Sequence, residues 1–177
     1  LRQIKFAHIY ASPIKRARNT ASTVRQYLPG KPALSLLSRL EEFHLGKMEG
    51  MRFKEAQTRF PEEFDAFRNA PADYRPVEIG GESFQEVIDR MTPAIQTIVH
   101  NYPNDDQNVL IVSHGAALNA EINALLGTPL AHLRDRGGLS NTSTTILETH
   151  DAGAHYELVA WNKTDYLKRK LDPTDTI

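Results

Sequence analysis

The chain has 177 residues, with 21 lysines and arginines, 22 aspartates and glutamates and no cysteine, so its formal net charge is −1. Because basic and acidic residues are nearly equal in number, the composition favours neither a nucleic-acid partner nor a membrane-surface partner. The apolar runs are too short to cross a bilayer. The absence of cysteine excludes disulfides, thiolate zinc sites and a thiol nucleophile.

The first predicted elements are a strand, a helix and a second strand. Residues 6–11 are apolar and aromatic and stop at a Ser-Pro pair, as is typical of a strand. Apolar residues recur at steps of three and four through 14–28, which predicts an amphipathic helix that ends at a Pro-Gly pair. Residues 33–43 predict a second strand, followed by a loop that carries two carboxylates.

The middle of the chain predicts two helices and a loop. Residues 51–70 favour a helix interrupted at its internal proline, and 71–83, with several prolines and glycines, favour a loop. Ser83 can cap the next helix, with Glu86 as its capping-box partner. That helix covers 84–102 and contains a proline, which predicts a kink or a local break.

The last third predicts a buried strand, a helix and a hairpin. Residues 108–113 are almost wholly apolar and fit a central strand covered on both faces. Residues 116–127 predict a helix closed by its final glycine. Two β-rich runs, 142–150 and 155–162, predict an antiparallel pair, and the polar tail 163–177 is expected to be loose.

Strands and helices alternate through most of the sequence, so the expected fold class is α/β, with a largely parallel sheet and antiparallel content near the C-terminus. We expect a single domain over 1–177 and a cytoplasmic location, although the lack of cysteine does not fix the compartment. The opening residues read like the end of a helix leading into a strand, so we expect the sequence to begin inside a fold.

Two features lie where predicted strands give way to helices. His114 and Gly115 follow a strand, and the amides of Gly115 and Ala116 would open a helix, whose free N–H groups and dipole favour an anion. Arg16 lies in the first turn of the helix that follows Ser12, where a basic residue is unexpected unless an anion is shared. The alternatives are a histidine bonded to a neighbouring loop and a solvated basic helix face.

Two further features carry carboxylates or glycines. Glu41 and Glu42 follow the second strand, and a carboxylate aimed at a bound phosphate would retain its proton, which suits a general acid. Two glycines precede Glu82 and Ser83, so Glu82 or the Ser83 amide could contact a substrate. The alternatives are two surface glutamates and a serine that only caps its helix.

Together, the blocks ASPIKRARNTA, LEEFHLGKMEG, GGESFQEVIDRM and VLIVSHGAAL resemble, in order and spacing, those of the histidine phosphatase superfamily, also called phosphoglycerate mutase-like. LSNTSTTILE and WNKTDYL resemble its closing strands. The resemblance covers most of residues 6–167. It implies a three-layer α/β/α fold with a mostly parallel central sheet.

The resemblance also implies phosphoryl transfer through a phosphohistidine, with positive charge supplied by side chains. It assigns catalytic roles to Glu42 and His114, with Glu42 favoured over Glu41 as the acid, and phosphate binding to Arg16, His114 and Gly115. The further candidate substrate contacts are Ser12, Glu82, Ser83 and Asn141. No metal site and no cofactor are expected, because thiolates and ligand-spaced His/Asp/Glu clusters are absent from the sequence.

The nucleophilic histidine of the family lies in an Arg-His-Gly block at the end of a first strand, and no Arg-His-Gly occurs in these 177 residues. His8 is inside a predicted strand and not at its end. We therefore expect that the first strand and its phosphate loop are missing from this sequence.

The resemblance leaves three functions open. We favour a phosphatase of small phosphomonoesters, because the segment 51–79 is short, whereas cofactor-dependent mutases of the family carry a longer insertion there. The alternatives are such a phosphoglycerate mutase and a non-catalytic protein that binds a phosphorylated ligand. The expected partner is a small phosphorylated metabolite, with no nucleic acid and no membrane, and a homodimer is left open.

Overall fold

The computed structural model describes residues 1–168, which form an α/β fold built on a parallel sheet, as predicted. The strands are β1 (Phe6–Ala11), β2 (Ala33–Leu36), β3 (Asn108–Val112), β4 (Thr144–Glu148) and β5 (Glu157–Lys163). The α-helices are α1 (Lys15–Tyr27), α2 (Phe53–Arg59), α3 (Pro61–Asn69), α4 (Phe84–Asn101) and α5 (Gly115–Leu125). Short 3-10 turns fill several of the connections.

The parallel sheet has the order β2-β1-β3, so β1 and not β3 is its middle strand within residues 1–168. The prediction that 108–113 form a central strand was wrong for this part of the chain. Val109–Val112 are only half-buried, because β3 pairs on one side alone. Within residues 1–168, this almost wholly apolar strand therefore has an unpaired edge, and it ends two residues before His114.

Side chains alternate between the faces of this sheet and enter two separate cores. Ile9, Ala11 and Val112 pack with α1 on one face. Tyr10 and Ile111 point to the other face, into the core that contains the apolar side of α4 and α5. The result is a helix, sheet, helix arrangement, which confirms the predicted three-layer α/β/α fold.

The predicted helix interruption at Pro61 is confirmed. Phe60 leaves the helical region with φ −137° and ψ 60°, and Pro61 begins α3. Proline suits a first helical position, because the N–H that it lacks has no partner there. The predicted second strand and the loop after it, within 33–43, are also confirmed: β2 ends at Leu36, and a 3-10 helix from Ser38 leads to the carboxylate pair.

The start of α4 follows the predicted capping box, but its interior does not break. The Ser83 hydroxyl accepts a hydrogen bond from the Glu86 amide, while the Glu86 carboxylate accepts one from the Ser83 amide. α4 then continues through Pro93 to Asn101, so the local break does not occur. Packing of the apolar face of α4 against the core outweighs the one backbone hydrogen bond that Pro93 removes.

β4 and β5 form the predicted antiparallel pair, and Gly127, two residues after the end of α5, has φ +73°, as expected of a glycine that closes a helix. The start of the tail is more ordered than predicted, because the Tyr166 hydroxyl donates to the Thr142 carbonyl oxygen at 2.7 Å. The rest of the predicted loose tail, 169–177, lies outside the described residues. Within residues 1–168, every helix is too short or too polar to span a membrane.

The interface between α4 and α5 contains a buried carboxyl group that the sequence did not reveal. Glu121 is 1% exposed, and its Oε2 accepts a hydrogen bond from the Thr92 hydroxyl at 3.0 Å. Its Oε1 has no hydrogen-bond partner in the part of the chain that the structure describes. Burial raises the pKa of Glu121 to about 7, against the opposing effects of Thr92 and the positive charge of Arg90.

We expect Glu121→Gln to stabilise the protein progressively, relative to the wild type, as pH rises. The folded state holds the Glu121 proton up to about pH 7, whereas the unfolded chain releases it near 4.5. Glu121 therefore contributes stability below the unfolded pKa, and that contribution is lost as pH rises through the folded pKa. Urea titrations between pH 4.5 and 8 measure the free energy of unfolding of both proteins. The value for the variant minus that for the wild type should rise by up to about 3 kcal/mol over this range.

The exposed Glu62→Gln provides a control for the loss of one acidic side chain. If the difference in unfolding free energy between Glu121→Gln and wild type stays constant over this pH range, the expected titration of Glu121 is contradicted.

Candidate functional site

His114, Arg16 and Ser12 come together where β1 and β3 end. The backbone amide of Ser12 donates to the Val112 carbonyl oxygen at 2.9 Å, which places the residues after the two strands side by side. Arg16 Nε donates to His114 Nδ1 at 3.0 Å, and His114 Nε2 lies 2.8 Å from the Ser12 hydroxyl. The sequence predicted each residue at a strand end, and the structure brings the three into direct contact.

The hydrogen bonds of His114 determine its tautomer. A guanidinium N–H can only donate, so Nδ1 must be the unprotonated nitrogen that accepts from Arg16. Nε2 then carries the hydrogen and donates to Ser12 Oγ, which also accepts from the Ile14 amide at 3.2 Å. Burial, followed by the charges of Arg16 and Arg90, lowers the pKa of His114 from 6.5 to about 4. His114 is therefore a neutral hydrogen-bond donor at physiological pH.

Arg16 is the exposed cation of the group. Its side chain leaves the first turn of α1, which carries no acidic residue. The bond to His114 uses only Nε, so the two terminal nitrogens of the fork remain directed away from this contact. A fixed, partly occupied guanidinium is well suited to bind a second acceptor such as an oxyanion.

Glu42 lies across the N-terminus of α5, immediately after His114. Its Oε1 accepts hydrogen bonds from the Ala117 amide at 2.8 Å and from its neighbour Phe43 at 3.1 Å, and its Oε2 accepts a longer one from Ala116 at 3.4 Å. The amides expected to bind a substrate anion are therefore partly occupied by a carboxylate of the protein itself. The role of Gly115 in phosphate binding stays a prediction.

Burial and hydrogen bonding shift the pKa of Glu42 in opposite directions. Burial raises the pKa of Glu42, while the amides of Phe43, Ala117 and Ala116 and the charge of Arg16 act in the opposite direction. Burial is the largest of these effects, so the carboxyl group holds its proton more strongly than an ordinary glutamate. A raised carboxyl pKa favours the protonated form, which a general acid requires.

Glu82 and Ser83 are occupied by contacts within the protein. Glu82 Oε1 accepts from Arg90 Nε at 2.6 Å, and Glu82 Oε2 accepts from the His44 amide at 3.2 Å. The Ser83 hydroxyl and amide both bond to Glu86. Asn141 is exposed in the loop before β4. Their contact with a substrate stays a prediction.

His8 is excluded as a member of this site. It lies inside β1, where its ring stacks on Tyr10 at 4.4 Å between ring centroids and its Nε2 is 2.9 Å from the Ser35 hydroxyl. Within residues 1–168 the structure shows no group of three or more His, Asp or Glu residues that could hold a metal ion. The charge available to an anion here comes from Arg16.

The sequence analysis missed Arg90, which bonds to the segment that carries Glu42. Arg90 lies in α4, far along the chain from Glu42, and its Nη2 donates to the Glu42 carbonyl oxygen at 3.1 Å. The available signal was a basic residue on the predicted helix that follows Glu82, and a charged residue on a helix specifies no contact by itself.

The chain is similar to known proteins over most of its length. Residues 1–164 match the histidine phosphatase superfamily (branch 1). The chain is 33% identical over 168 residues to glucosyl-3-phosphoglycerate phosphatase of Mycolicibacterium vanbaalenii, covering 87% of this chain and 72% of that protein. It is 26% identical over 159 residues to the metal-independent phosphoserine phosphatase of Arabidopsis thaliana, covering 90% of this chain and 62% of that protein.

The fold is shared with solved structures as well. Bacillus stearothermophilus YhfR superposes with a TM-score of 0.81 and 34% identity, over 91% of this chain and 76% of that one. The chain thus spans 62% of the phosphoserine phosphatase, less than two thirds of its length, and 72% and 76% of the other two proteins. The resemblance noted in the sequence blocks is confirmed, and the chain belongs to the histidine phosphatase superfamily.

Proposed function

We propose that this chain forms most of the active site of a phosphatase that hydrolyses small phosphomonoesters through a phosphohistidine. The observation that carries the proposal is the convergence of Arg16, neutral His114 and half-buried Glu42 at the carboxyl ends of β1 and β3. Ligands bind at this edge of open α/β sheets. The two relatives described above, both named as phosphatases, support hydrolysis of a phosphate ester.

In the proposed complex, Arg16 and His114 bind the equatorial oxygens of the phosphoryl group. Arg16 contributes the terminal nitrogens of its guanidinium, and His114 turns its Nε2–H from Ser12 to the anion. Arg16 is held through its Nε before the ligand arrives, and His114 only exchanges its Ser12 acceptor for the anion, so little reorganisation is needed when negative charge develops on the transferring group. A bound anion would also raise the pKa of His114 from its depressed value.

Glu42 is the proposed proton donor. The nucleophilic imidazole forms a bond to phosphorus while the bond from phosphorus to the ester oxygen breaks, and Glu42 transfers its proton to that leaving oxygen. Water then attacks the phosphohistidine, and the Glu42 carboxylate accepts the proton that this water releases. The raised pKa of Glu42 suits the first step, and its amide contacts suit the second.

His8 and His114 are held by other contacts, and none of the seven histidines follows an arginine and precedes a glycine, so we propose that the nucleophilic histidine comes from outside these residues. We propose that it follows a strand which pairs with the free edge of β3. A parallel strand there would end beside His114, since β3 itself leads directly to that residue. The half-exposed apolar residues Val109–Val112 would be covered by the same strand.

Hydrolysis is proposed rather than transfer within a mutase because the segment between the Glu42 loop and Glu82 is short. It contains only the helices α2 and α3 and a 3-10 turn before α4 begins. A longer insertion there would be needed to shelter the phosphohistidine from water.

Arg16→Gln should weaken binding of inorganic phosphate by about 10- to 100-fold, the loss expected for a charge-assisted hydrogen bond. Calorimetric titration of the complete protein with phosphate measures this affinity. Arg18→Gln, an exposed arginine on the same helix, is the matched control and should bind as the wild type does. Equal losses in both variants, or vanadate bound far from Arg16 and His114 in a crystal, would reject the anion site.

Glu42→Gln should discriminate between leaving groups. An alkyl phosphate such as glycerol phosphate needs a proton on its leaving oxygen, so its hydrolysis should fall by about 10²–10⁴-fold. p-Nitrophenolate leaves as an anion, so p-nitrophenyl phosphate should be nearly unaffected. The measurement is kcat/KM of the complete protein on both esters.

The neighbouring Glu41→Gln is the control for this experiment, because successive side chains of extended backbone point in opposite directions. It should behave as the wild type. Equal losses on both esters in Glu42→Gln would mean that Glu42 is not the proton donor. A complete protein that binds phosphate and hydrolyses no phosphomonoester would favour the non-catalytic alternative.

Phosphatase activity should persist after treatment with EDTA, because the positive charge in the proposed mechanism comes from Arg16 and other side chains. The relative named as a metal-independent phosphoserine phosphatase supports this expectation. A zinc-dependent phosphatase assayed in parallel verifies that chelation is effective. Loss of activity that Mg²⁺ or Zn²⁺ restores would contradict the mechanism.

A further inference from the structure

Arg90 and Glu82 form a forked ion pair beside the proposed active site. Arg90 Nε donates to Glu82 Oε1 at 2.6 Å, and Arg90 Nη2 donates to Glu82 Oε2 at 3.0 Å. The two side chains are 21% and 17% exposed. Two parallel hydrogen bonds in a poorly solvated pair fix the plane of the guanidinium. Arg90 therefore has one defined orientation and not a set of loose surface rotamers.

The rest of this guanidinium binds the backbone on either side of the Glu42 loop. Arg90 Nη1 donates to the Arg39 carbonyl oxygen at 2.7 Å, and Nη2 donates to the Glu42 carbonyl oxygen at 3.1 Å. Lysine could not make this set of contacts, because it lacks the planar fork. One side chain of α4 thus bonds to both ends of the segment 39–42.

Glu82 holds the same loop from its other end. The Glu82 amide donates to the His44 carbonyl oxygen at 2.7 Å, and the Glu82 carboxylate accepts from the His44 amide. Gly46 allows the two backbones to approach, since a Cβ there would lie 2.0 Å from the Ile79 carbonyl oxygen. The loop is therefore fixed before, at and after Glu42 by contacts to the start of α4.

These contacts matter because the loop has no strand or helix of its own at Glu42. Glu42 lies between two 3-10 turns. Its carboxyl oxygens accept hydrogen bonds from the amides of Phe43, Ala116 and Ala117. A displacement of about 1 Å is enough to cost catalysis heavily when proton transfer depends on position. A partly exposed ion pair by itself contributes little to global stability, so its main effect is expected to be local.

We propose that Arg90 is a positioning residue, oriented by Glu82, that sets where the Glu42 carboxyl group lies relative to the leaving oxygen. This inference rests on the proposed role of Glu42 as proton donor. It assigns Glu82 to the loop and not to the substrate. Arg90 itself contacts no reacting atom in this assignment.

The test compares Arg90→Gln, Arg90→Lys and Glu82→Gln in the complete protein on glycerol phosphate and p-nitrophenyl phosphate. All three variants should lose kcat/KM on glycerol phosphate, by about 10- to 100-fold for Arg90→Gln, as misplacement of a general acid predicts. Hydrolysis of p-nitrophenyl phosphate should change little. Lysine should not rescue the function of Arg90. The double variant Arg90→Gln/Glu42→Gln should be no slower than Glu42→Gln alone, because both changes disable one step.

Arg59→Gln is the matched control, because Arg59 also pairs with a glutamate, Glu55, at 3.1 Å but on an exposed helix surface. It should leave both activities unchanged. Equal losses on both esters for the Arg90 and Glu82 variants, or additive losses in the double variant, would overturn the positioning role. If Arg90→Gln does not fold, the same criteria apply to Arg90→Lys and Glu82→Gln.

Hydrogen exchange separates this inference from the proposed function. Amides of 39–45 should exchange faster in Arg90→Gln than in wild type, while β1 and α5 remain protected. Unchanged exchange in 39–45 would overturn the inference whatever the activity. If the complete wild-type protein hydrolyses neither ester, the proposed function is wrong. The catalytic part of the positioning role of Arg90 is then wrong as well.

Discussion

The contact between the Glu42 carboxyl group and the first amides of α5 is the constraint on which the site depends. It joins the loop after β2 to the turn after β3, so the acid lies next to His114 only if both loops are in place. The helix terminus favours the charged carboxylate, whereas burial favours the neutral acid. Because the two effects oppose each other and burial is larger, Glu42 remains a group that can exchange a proton.

Local sequence patterns were sufficient for most of the architecture. Periodicity identified the helices, and the Ser83–Glu86 capping box and Pro61 gave correct boundaries, because each acts within a few residues. The errors arose where partners distant in sequence decide the outcome. An apolar run such as 108–113 shows that a strand is hydrophobic but not how many strands pair with it. Similarly, propensity cannot show that core packing carries α4 through Pro93.

The sequence indicated which residues belong to the candidate site, but it did not indicate the hydrogen bonds between them. Arg16 and His114 were recognisable because each follows a strand, and parallel strands end at one edge of a sheet. Their hydrogen bond, and the neutral tautomer that it imposes, depend on a separation of 98 residues that no local pattern encodes. The amides of Gly115 and Ala116 were expected to bind a substrate anion, yet in the structure the amides of Ala116 and Ala117 donate to Glu42 of the protein itself.

The close approach of Gly46 to Ile79 divides the chain in a way that bears on how such enzymes diversify. The Lys47 amide donates to the Ile79 carbonyl oxygen at 2.8 Å, so the segment between these residues begins and ends at the same point of the fold. Lengthening a loop whose ends are already joined adds little closure entropy. The segment through α2 and α3 can therefore change in length without moving its ends, provided that it keeps its core contacts. Phe67 of α3 packs on Phe43, the neighbour of Glu42, with 5.2 Å between ring centroids, so a replacement segment would have to supply an aromatic side chain at that place.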